Sequence, residues 1–155
     1  MKMITRQTLA KRLQCSERTL YRLFLDGELL QCSATPPMYD CDDVRDFLNE
    51  RKRGMAADVT SDIPVDFFTT VGASKSLGIN ADVLRRWVRH HAENGIPHYR
   101  ISTALALFRM ESLSAWFKQR KASAHKDRLA RARKASEART YYRKLKDRNE
   151  NGGKQ

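Results

Sequence analysis

The chain has 155 residues, of which 41% are hydrophobic, and it carries a net charge of +12. This length suffices for one medium or two small domains, and the moderate apolar content favours small cores over one deep core. No apolar run approaches the roughly 18 residues of a membrane-spanning helix, and the N-terminus lacks the apolar centre of a signal peptide. We therefore expect a cytoplasmic protein without a membrane partner.

The first predicted module covers residues 1–53. Thr5 is a suitable cap for a helix that continues to Leu13, and Ser16 is a suitable cap for a second helix. In that second helix the helical period places Leu20, Leu23 and Phe24 on the packing side. The opposite, open side carries Arg18, Tyr21, Arg22 and Leu25.

The remainder of this module is predicted to be a small β-wing and a third helix. Gly27 suits the left-handed residue that ends the second helix. The wing, residues 29–39, contains two prolines, which limit strand pairing, and no Lys or Arg, so whether it contacts DNA is left open. Asp40 and Asp43 are placed to cap the third helix and to meet the positive end of its dipole, which explains them without a catalytic role.

Residues 54–67 show no sustained hydrophobic period, and we predict a linker there. A segment of this length spans up to roughly 46 Å when extended and about 20 Å on average when flexible. Two DNA half-sites one helical turn apart are separated by about 34 Å, so both modules can engage the same face of one duplex.

The second predicted module covers residues 68–120. Two short helices are broken at Gly78, and Asn80 is a good cap for the second of them. Leu84, Trp87 and Val88 lie on the packing side of that helix, whereas its open sides carry Asp82, Arg85, Arg86 and Arg89. A two-stranded wing follows, with His98 and Arg100 on its first strand and Arg109 after its second strand.

Most of the positive charge lies beyond these modules. Residues 118–155 contain fourteen Lys and Arg against four Asp and Glu, a net charge of +10, which leaves +2 for residues 1–117. Such a local excess indicates a polyanionic partner, most often nucleic acid and less often an acidic membrane surface. Because residues 118–148 lack Pro and Gly, a mostly helical tail is predicted, with an apolar stripe too thin for a strong coiled-coil seam. A solvated helix along phosphates and a helix docked on a protein partner are the two interpretations of this tail.

Neither a metal site nor a cofactor is predicted, and the chain is not expected to be an enzyme. Its three cysteines, at positions 15, 32 and 41, form no C-x-x-C pair, so neither a disulfide framework nor a zinc ribbon is indicated. Clustered acids and a Gly-rich phosphate loop are also missing from the sequence, which leaves no catalytic residue to name.

The two modules have their helices and apolar positions in the same order along the sequence. Leu13 overlays Leu77, Ser16 overlays Asn80, and Phe47 of the first closing helix overlays Trp116 of the second. In the second module a helix-turn-helix is followed by the entry Gly95-Ile96-Pro97 into a wing with basic residues and by a closing helix that contains Trp116. These motifs make the chain similar to the winged helix-turn-helix domains of the excisionase and MerR-like superfamily, although the wing of the first module departs from that pattern because it has no Lys or Arg. The fold expected from this resemblance is mainly α with small β-wings: two tandem winged helix-turn-helix domains, residues 1–53 and 68–120, followed by a basic C-terminal helix, residues 121–155.

This resemblance implies a sequence-specific double-stranded DNA-binding protein of a bacterial or phage mobile element, associated with the nucleoid. It would act as an excisionase or recombination directionality factor, or as a transcriptional regulator. The alternative is a DNA-binding assembly component such as a phage terminase small subunit. RNA binding by the tail, a homo-oligomer, and a recombinase or polymerase partner also remain open.

Two groups of residues are the predicted contacts. The DNA-binding group comprises Arg18, Tyr21, Arg22, Asp82, Arg85, Arg86, Arg89, His98, Arg100 and Arg109. The basic tail contributes Lys126, Arg128, Arg131, Arg133, Lys134, Arg139, Arg143 and Lys144.

Overall fold

The computed structural model describes residues 2–60 and 62–151, with the side chains of residues 147–151 excepted. Helices dominate, two small antiparallel sheets accompany them, and a long helix ends the described chain. The chain divides into two compact units, Met1–Trp116 and Phe117–Gln155. The mainly helical character with small sheets and a long C-terminal helix agrees with the sequence-based expectation.

The first half of the larger unit contains a three-stranded sheet and three helices. Its sheet has the strand order β1-β3-β2, with both pairs antiparallel. The elements are β1 (Met3–Thr5), α1 (Arg6–Arg12), α2 (Glu17–Leu25), β2 (Ser33–Ala34), β3 (Pro37–Asp40) and α3 (Cys41–Glu50).

The second half repeats this order of elements around a four-stranded sheet, with one additional strand before them and one additional short helix after the second helix. That sheet has the order β4-β6-β7-β5 and is antiparallel throughout. The elements are β4 (Lys52–Arg53), β5 (Phe67–Thr69), α4 (Thr70–Leu77), α5 (Ala81–Arg89), α6 (His91–Asn94), β6 (His98–Arg100), β7 (Ala106–Arg109) and α7 (Met110–Asn151).

Side-chain caps fix where the helices begin, because each satisfies a backbone N–H group that the first turn leaves without a partner. The hydroxyl of Thr5 accepts from the N–H of Thr8 at 3.2 Å, and the hydroxyl of Ser16 accepts from Thr19 at 3.1 Å. Asp40 and Asn80 cap α3 and α5 in the same way. All four predicted caps are confirmed.

The turn between the two helices of each pair needs one residue in the left-handed conformation. In the second half this residue is Gly78, with φ +66°, and in the first half it is Gln14, with φ +50°. A residue with a Cβ atom costs roughly 1–2 kcal/mol in this conformation. The two turns therefore have the same shape, but the first one is strained.

The four-stranded sheet separates two cores. Phe67, Tyr99 and Leu107 lie on one face of this sheet and belong to the same buried cluster as Leu9 and Leu20 of the first half. On the other face, the buried residues are those of the second half, including His98, Phe108, Leu84 and Leu113. Both faces of the sheet are thus covered.

The segment 54–67, predicted as a flexible linker, is packed against the rest of the unit. Val59 and Ile63 are buried in the core of the first half. The side-chain amide of Asn49 holds Val59 on both sides: its Nδ2 donates to the carbonyl at 3.1 Å, and its Oδ1 accepts from the N–H at 2.8 Å. Arg12 donates to the carbonyl of Ile63 at 3.0 Å. The apolar residues of this segment follow neither a helical nor a strand period, which is why the sequence pattern missed this packing.

A second connection joins the halves directly. Strand β4, which follows α3, pairs with β6 of the second half, so that Lys52 lies opposite Tyr99. Gly54 follows with φ +61°, and a Cβ atom there would overlap the carbonyl oxygens of Gly95 and Ile96. The expectation of two separate domains tethered by a free spacer is therefore corrected: residues 1–116 form one unit with a shared core.

Candidate nucleic-acid interface

Helix α5 presents an open basic face. Its packing side consists of Leu84 and Val88, which are buried, whereas Arg85, Arg86 and Arg89 are exposed. Asp82 is exposed as well and accepts from the guanidinium of Arg85 at 2.6 Å. Exposed ion pairs of this kind contribute little to stability, so Arg85 can exchange this partner for a ligand at small cost.

A cleft of about 280 Å³ lies between α5 and the β6–β7 hairpin. Three arginines line it, Arg85 and Arg89 from the helix and Arg100 from the hairpin, and no acidic side chain is among its lining residues. The other lining residues are small, polar or aliphatic: Thr70, Val88, Ser102, Thr103, Ala104 and Ala106. Such a cleft favours an anion.

The tip of this hairpin is built by Ser102. Its hydroxyl accepts from the N–H groups of Ala104 and Leu105, at 3.3 and 3.1 Å. The backbone closes the same turn, because Ile101 donates to the carbonyl of Leu105 at 3.0 Å. Thr103 and Ala104 are thereby left exposed at the end of a turn whose base, Ile101, is buried in the core.

Two predicted DNA contacts on the hairpin are engaged elsewhere. His98 is fully buried, its Nδ1 lies 3.0 Å from the carbonyl of Ile96, and its ring packs beside Phe108. Burial is also the main cause that lowers the pKa of His98, so the uncharged form is favoured. Because β6 is an inner strand covered on both faces, alternation along it does not leave His98 exposed. Arg109 is partly buried and pairs with Asp66 at 3.2 Å, which makes it a structural residue here.

The open face of α2 has a different character. Arg18, Arg22, Tyr21 and Leu25 are all exposed as predicted, Leu25 by 61%. The guanidinium of Arg6 lies 5.3 Å from the ring centre of Tyr21, a cation–π contact that covers part of the aromatic face. This face therefore combines two positive charges with an apolar strip.

A larger cleft of about 780 Å³ lies between α2 and the same hairpin. Four arginines from three segments of the sequence line it: Arg22, Arg51, Arg53 and Arg100. Asp26 and Glu28 also line it, and Glu28 is held by Arg51 at 2.6 Å. Leu23, Ile101 and Leu105 add apolar lining, and the remaining lining residues are Cys15, Ser16, Thr19, Ser102, Thr103 and Ala104.

Arg51 and Arg53 were not among the predicted site residues. They stand in a run of three bases, Arg51-Lys52-Arg53, that directly follows α3. This run is a detectable charge signal, but its place beside the second module depends on the β4–β6 pairing, which no local pattern indicates.

The first hairpin, β2–β3, offers little for an anion. It pairs over only two residues of β2, and its turn contains Thr35 and Pro36 in place of basic residues. The limited strand pairing that the two prolines predicted is therefore observed.

The basic tail is a solvated helix. Every side chain from residue 118 to residue 146 is exposed, including all eight tail residues predicted as contacts. Because successive residues turn by about 100°, Lys126, Arg128, Lys134 and Arg143 point in different directions around the axis. Arg133 pairs with Glu137 at 2.9 Å. Positive charge thus surrounds this helix on all sides.

Among the described residues, no group of three or more His, Cys, Asp or Glu side chains is arranged to hold a metal ion. Burial raises the pKa of the Cys15 thiol to about 11, so this cysteine is protonated at neutral pH and unreactive. None of the described helices combines the length and the apolar character needed to cross a lipid bilayer.

No protein-family model matches the chain, and no curated protein or solved structure is significantly similar to it. The candidate interface is therefore defined by its own chemistry: an arginine-bearing helix, a hairpin that ends in an exposed turn, and a helix surrounded by positive charge.

Proposed function

We propose that this protein binds double-stranded DNA in a sequence-specific manner and has no catalytic activity, with its two halves acting as tandem winged helix-turn-helix modules. The observation that carries this proposal is the exposed arginine face of α5 beside a cleft that has three arginines and no acidic lining residue. A nine-residue helix with its apolar side buried and its basic side open fits the major groove, which admits an α-helix.

Arginine suits this role because its planar guanidinium can donate two parallel hydrogen bonds to guanine. Each such pair contributes roughly 1–3 kcal/mol of discrimination against a wrong base. Arg86 and Arg89 have no acidic partner within the described part of the chain, so they are available for such contacts. The hairpin and its Arg100 would then lie against the DNA backbone.

The tail supplies affinity that does not depend on sequence. Lys and Arg side chains near phosphates release condensed counterions, a favourable effect that salt removes. A helix with charge on all sides can contact phosphates on both walls of a groove. RNA binding through the tail remains a lesser candidate, because a basic helix can enter either kind of nucleic acid.

In biological terms, the resemblance to excisionase and MerR-like domains supports a role in a bacterial or phage mobile element. The protein would act there as a recombination directionality factor or as a transcriptional regulator. Both roles need a DNA-binding protein that distinguishes its site from random duplex, and recombinase or polymerase would be the partner.

An assembly component, such as a phage terminase small subunit, is the second candidate. The exposed apolar side chains of Tyr21, Leu25 and Leu30 in the first half favour it, because they would suit a protein partner. An oligomer that forms in solution without DNA would support this candidate over a regulator.

The specificity experiment starts from selection of bound fragments out of random duplex DNA. We expect Arg86→Ala to weaken binding to the selected site by about 2 kcal/mol and binding to random duplex by much less. Lys75→Ala is the matched control, because Lys75 is an exposed base on α4 outside both clefts. Equal losses on both DNAs would contradict base recognition by α5.

The tail experiment measures affinity across a salt series. Each phosphate contact contributes about 0.9 to the slope of log affinity against log salt concentration. If the tail forms five such contacts, removing residues 121–155 should flatten this slope by about 4 to 5. Sequence preference should not change. An unchanged slope together with loss of an oligomer would show that the tail serves protein contacts and would favour the assembly component.

A further inference from the structure

The β6–β7 hairpin stands between the two helices that are proposed to contact bases. Its residues Arg100, Ser102, Thr103 and Ala104 line both clefts, the one beside α2 and the one beside α5. The hairpin of the second half is therefore a neighbour of the helix of the first half as well as of its own.

The position of the hairpin relative to α2 is set by buried contacts. Ile101, at the start of its turn, belongs to the same core as Leu20 and Leu23 of α2, and Leu105, at the end of its turn, packs against that core. The strand below the turn is anchored by β4, since the N–H of Arg100 donates to the carbonyl of Arg51 at 2.9 Å. These contacts leave the two helices little freedom to change their separation.

Arginine side chains form a continuous positive surface from one cleft across the hairpin to the other. Arg22 and Arg53 lie on the α2 side, Arg89 lies on the α5 side, and Arg100 is shared. Among the described residues, none of these four arginines is within ion-pair distance of a carboxylate. Two acidic residues line the cleft beside α2. Glu28 forms an ion pair with Arg51, so Asp26 is the acidic lining residue whose charge reduces the positive potential of these arginines.

We propose that the tip of the β6–β7 hairpin and the arginine clefts on its two sides hold the sugar–phosphate backbone of one DNA duplex between α2 and α5. The two helices would then recognise a single continuous site whose two parts have an invariant spacing. This inference rests on the proposed function. It differs from the bipartite site that a flexible linker would allow, because a shared core replaces that linker.

The first test changes the spacing in the DNA. In the selected duplex, insertions of 5 and of 10 base pairs are placed between the segments that a footprint assigns to the two helices. A rigid unit loses one set of contacts in both cases, so affinity of the full chain should fall about 100-fold for each insertion, the loss expected for two base contacts. Flexibly joined modules would recover with 10 base pairs, because that insertion restores the same face of the duplex.

The second test places a negative charge on the hairpin tip. Ala104→Glu changes an exposed residue that lines both clefts, and Ala92→Glu makes the same change at an exposed residue of α6 outside them. We expect the first variant to weaken binding to the selected duplex about tenfold more than the second, because only its charge opposes nearby phosphates. Ala104→Lys should strengthen binding.

Recovery of affinity with the 10-base-pair insertion would overturn the inference, as would equal effects of the two Glu variants. Insensitivity to both insertions would also overturn it, because only one helix would then contact the DNA. These failures differ from failure of the proposed function, in which selection yields no preferred site at all and the wild-type chain binds every duplex alike.

Discussion

The two halves of the larger unit share a backbone plan but differ in what they expose. Thr5, Gln14 and Ser16 of the first half correspond, 64 residues later, to Thr69, Gly78 and Asn80 of the second. On this common plan α5 exposes three arginines, whereas α2 exposes two arginines with an apolar strip. The second hairpin ends in a turn flanked by Arg100, and the first has no basic residue. A repeated fold therefore does not imply repeated contacts with a partner.

The halves also differ in how they complete their cores. The second half buries one face of its sheet under its own helices and gives the other face to the first half. The first half closes its core with Phe67, Tyr99 and Leu107, all of which belong to strands of the second. The first half therefore depends on the second for its folding, because three of its core side chains belong to strands of the second half.

The largest expected effect tests this dependence. Gly54→Ala should lower the free energy of unfolding by about 3 kcal/mol, because a Cβ atom would overlap the carbonyls of Gly95 and Ile96 in addition to straining a positive φ. Gly27→Ala is the control: its φ is +70°, but a Cβ atom there meets nothing within 4 Å, so about 1 kcal/mol is expected. Urea unfolding followed by Trp fluorescence measures both, and equal losses would show that the halves do not meet at Gly54.

An intermediate effect compares the two helices in their binding of DNA. We expect Arg86→Ala to cost about 2 kcal/mol of affinity for the selected site, within the range for a bidentate base contact. Arg18→Ala on α2 should cost about 1 kcal/mol or less, because the apolar strip leaves this helix fewer polar contacts to make. Equal costs, measured by titration of labelled duplex, would remove the functional difference between the helices.

The smallest effect concerns the two left-handed turn residues. Gln14→Gly should raise the free energy of unfolding by about 1 kcal/mol, since glycine relieves the positive φ while losing some entropy on folding. Gly78→Ala should lower it by about 1 kcal/mol, because open space around the new Cβ atom leaves only the conformational cost. Changes of the same sign in urea unfolding would show that the two turns differ in shape.

Local signals predicted much of this structure. The caps at Thr5, Ser16, Asp40 and Asn80 are confirmed because capping depends on one side chain and its own next turn. Strands β1 and β5 were missed, since three residues are too few to show alternation. The exposed arginines of α5 followed from helical period alone, whereas burial of His98 depends on neighbours that are distant in sequence.

The two clefts could not be predicted either, because they also depend on residues that are distant in sequence. Arg22, Arg53 and Arg100 meet around one space only because β4 pairs with β6. These arginines are far apart in the sequence, and one sequence by itself does not indicate which distant segments come into contact. Pairing of short strands is decided by the shared core rather than by the strands themselves.

The placement of Tyr99 and Leu107 in the first core has a consequence for synthesis of the chain. The ribosome synthesises the chain from its N-terminus. A nascent chain that ends before β6 therefore contains α1, α2 and α3 but lacks Tyr99 and Leu107, which cover one side of their core. Its apolar residues Leu9, Leu20 and Leu48 would then be open on that side. Chaperones and proteases act on such surfaces, so products truncated before the β6–β7 hairpin should be degraded rapidly in the cell.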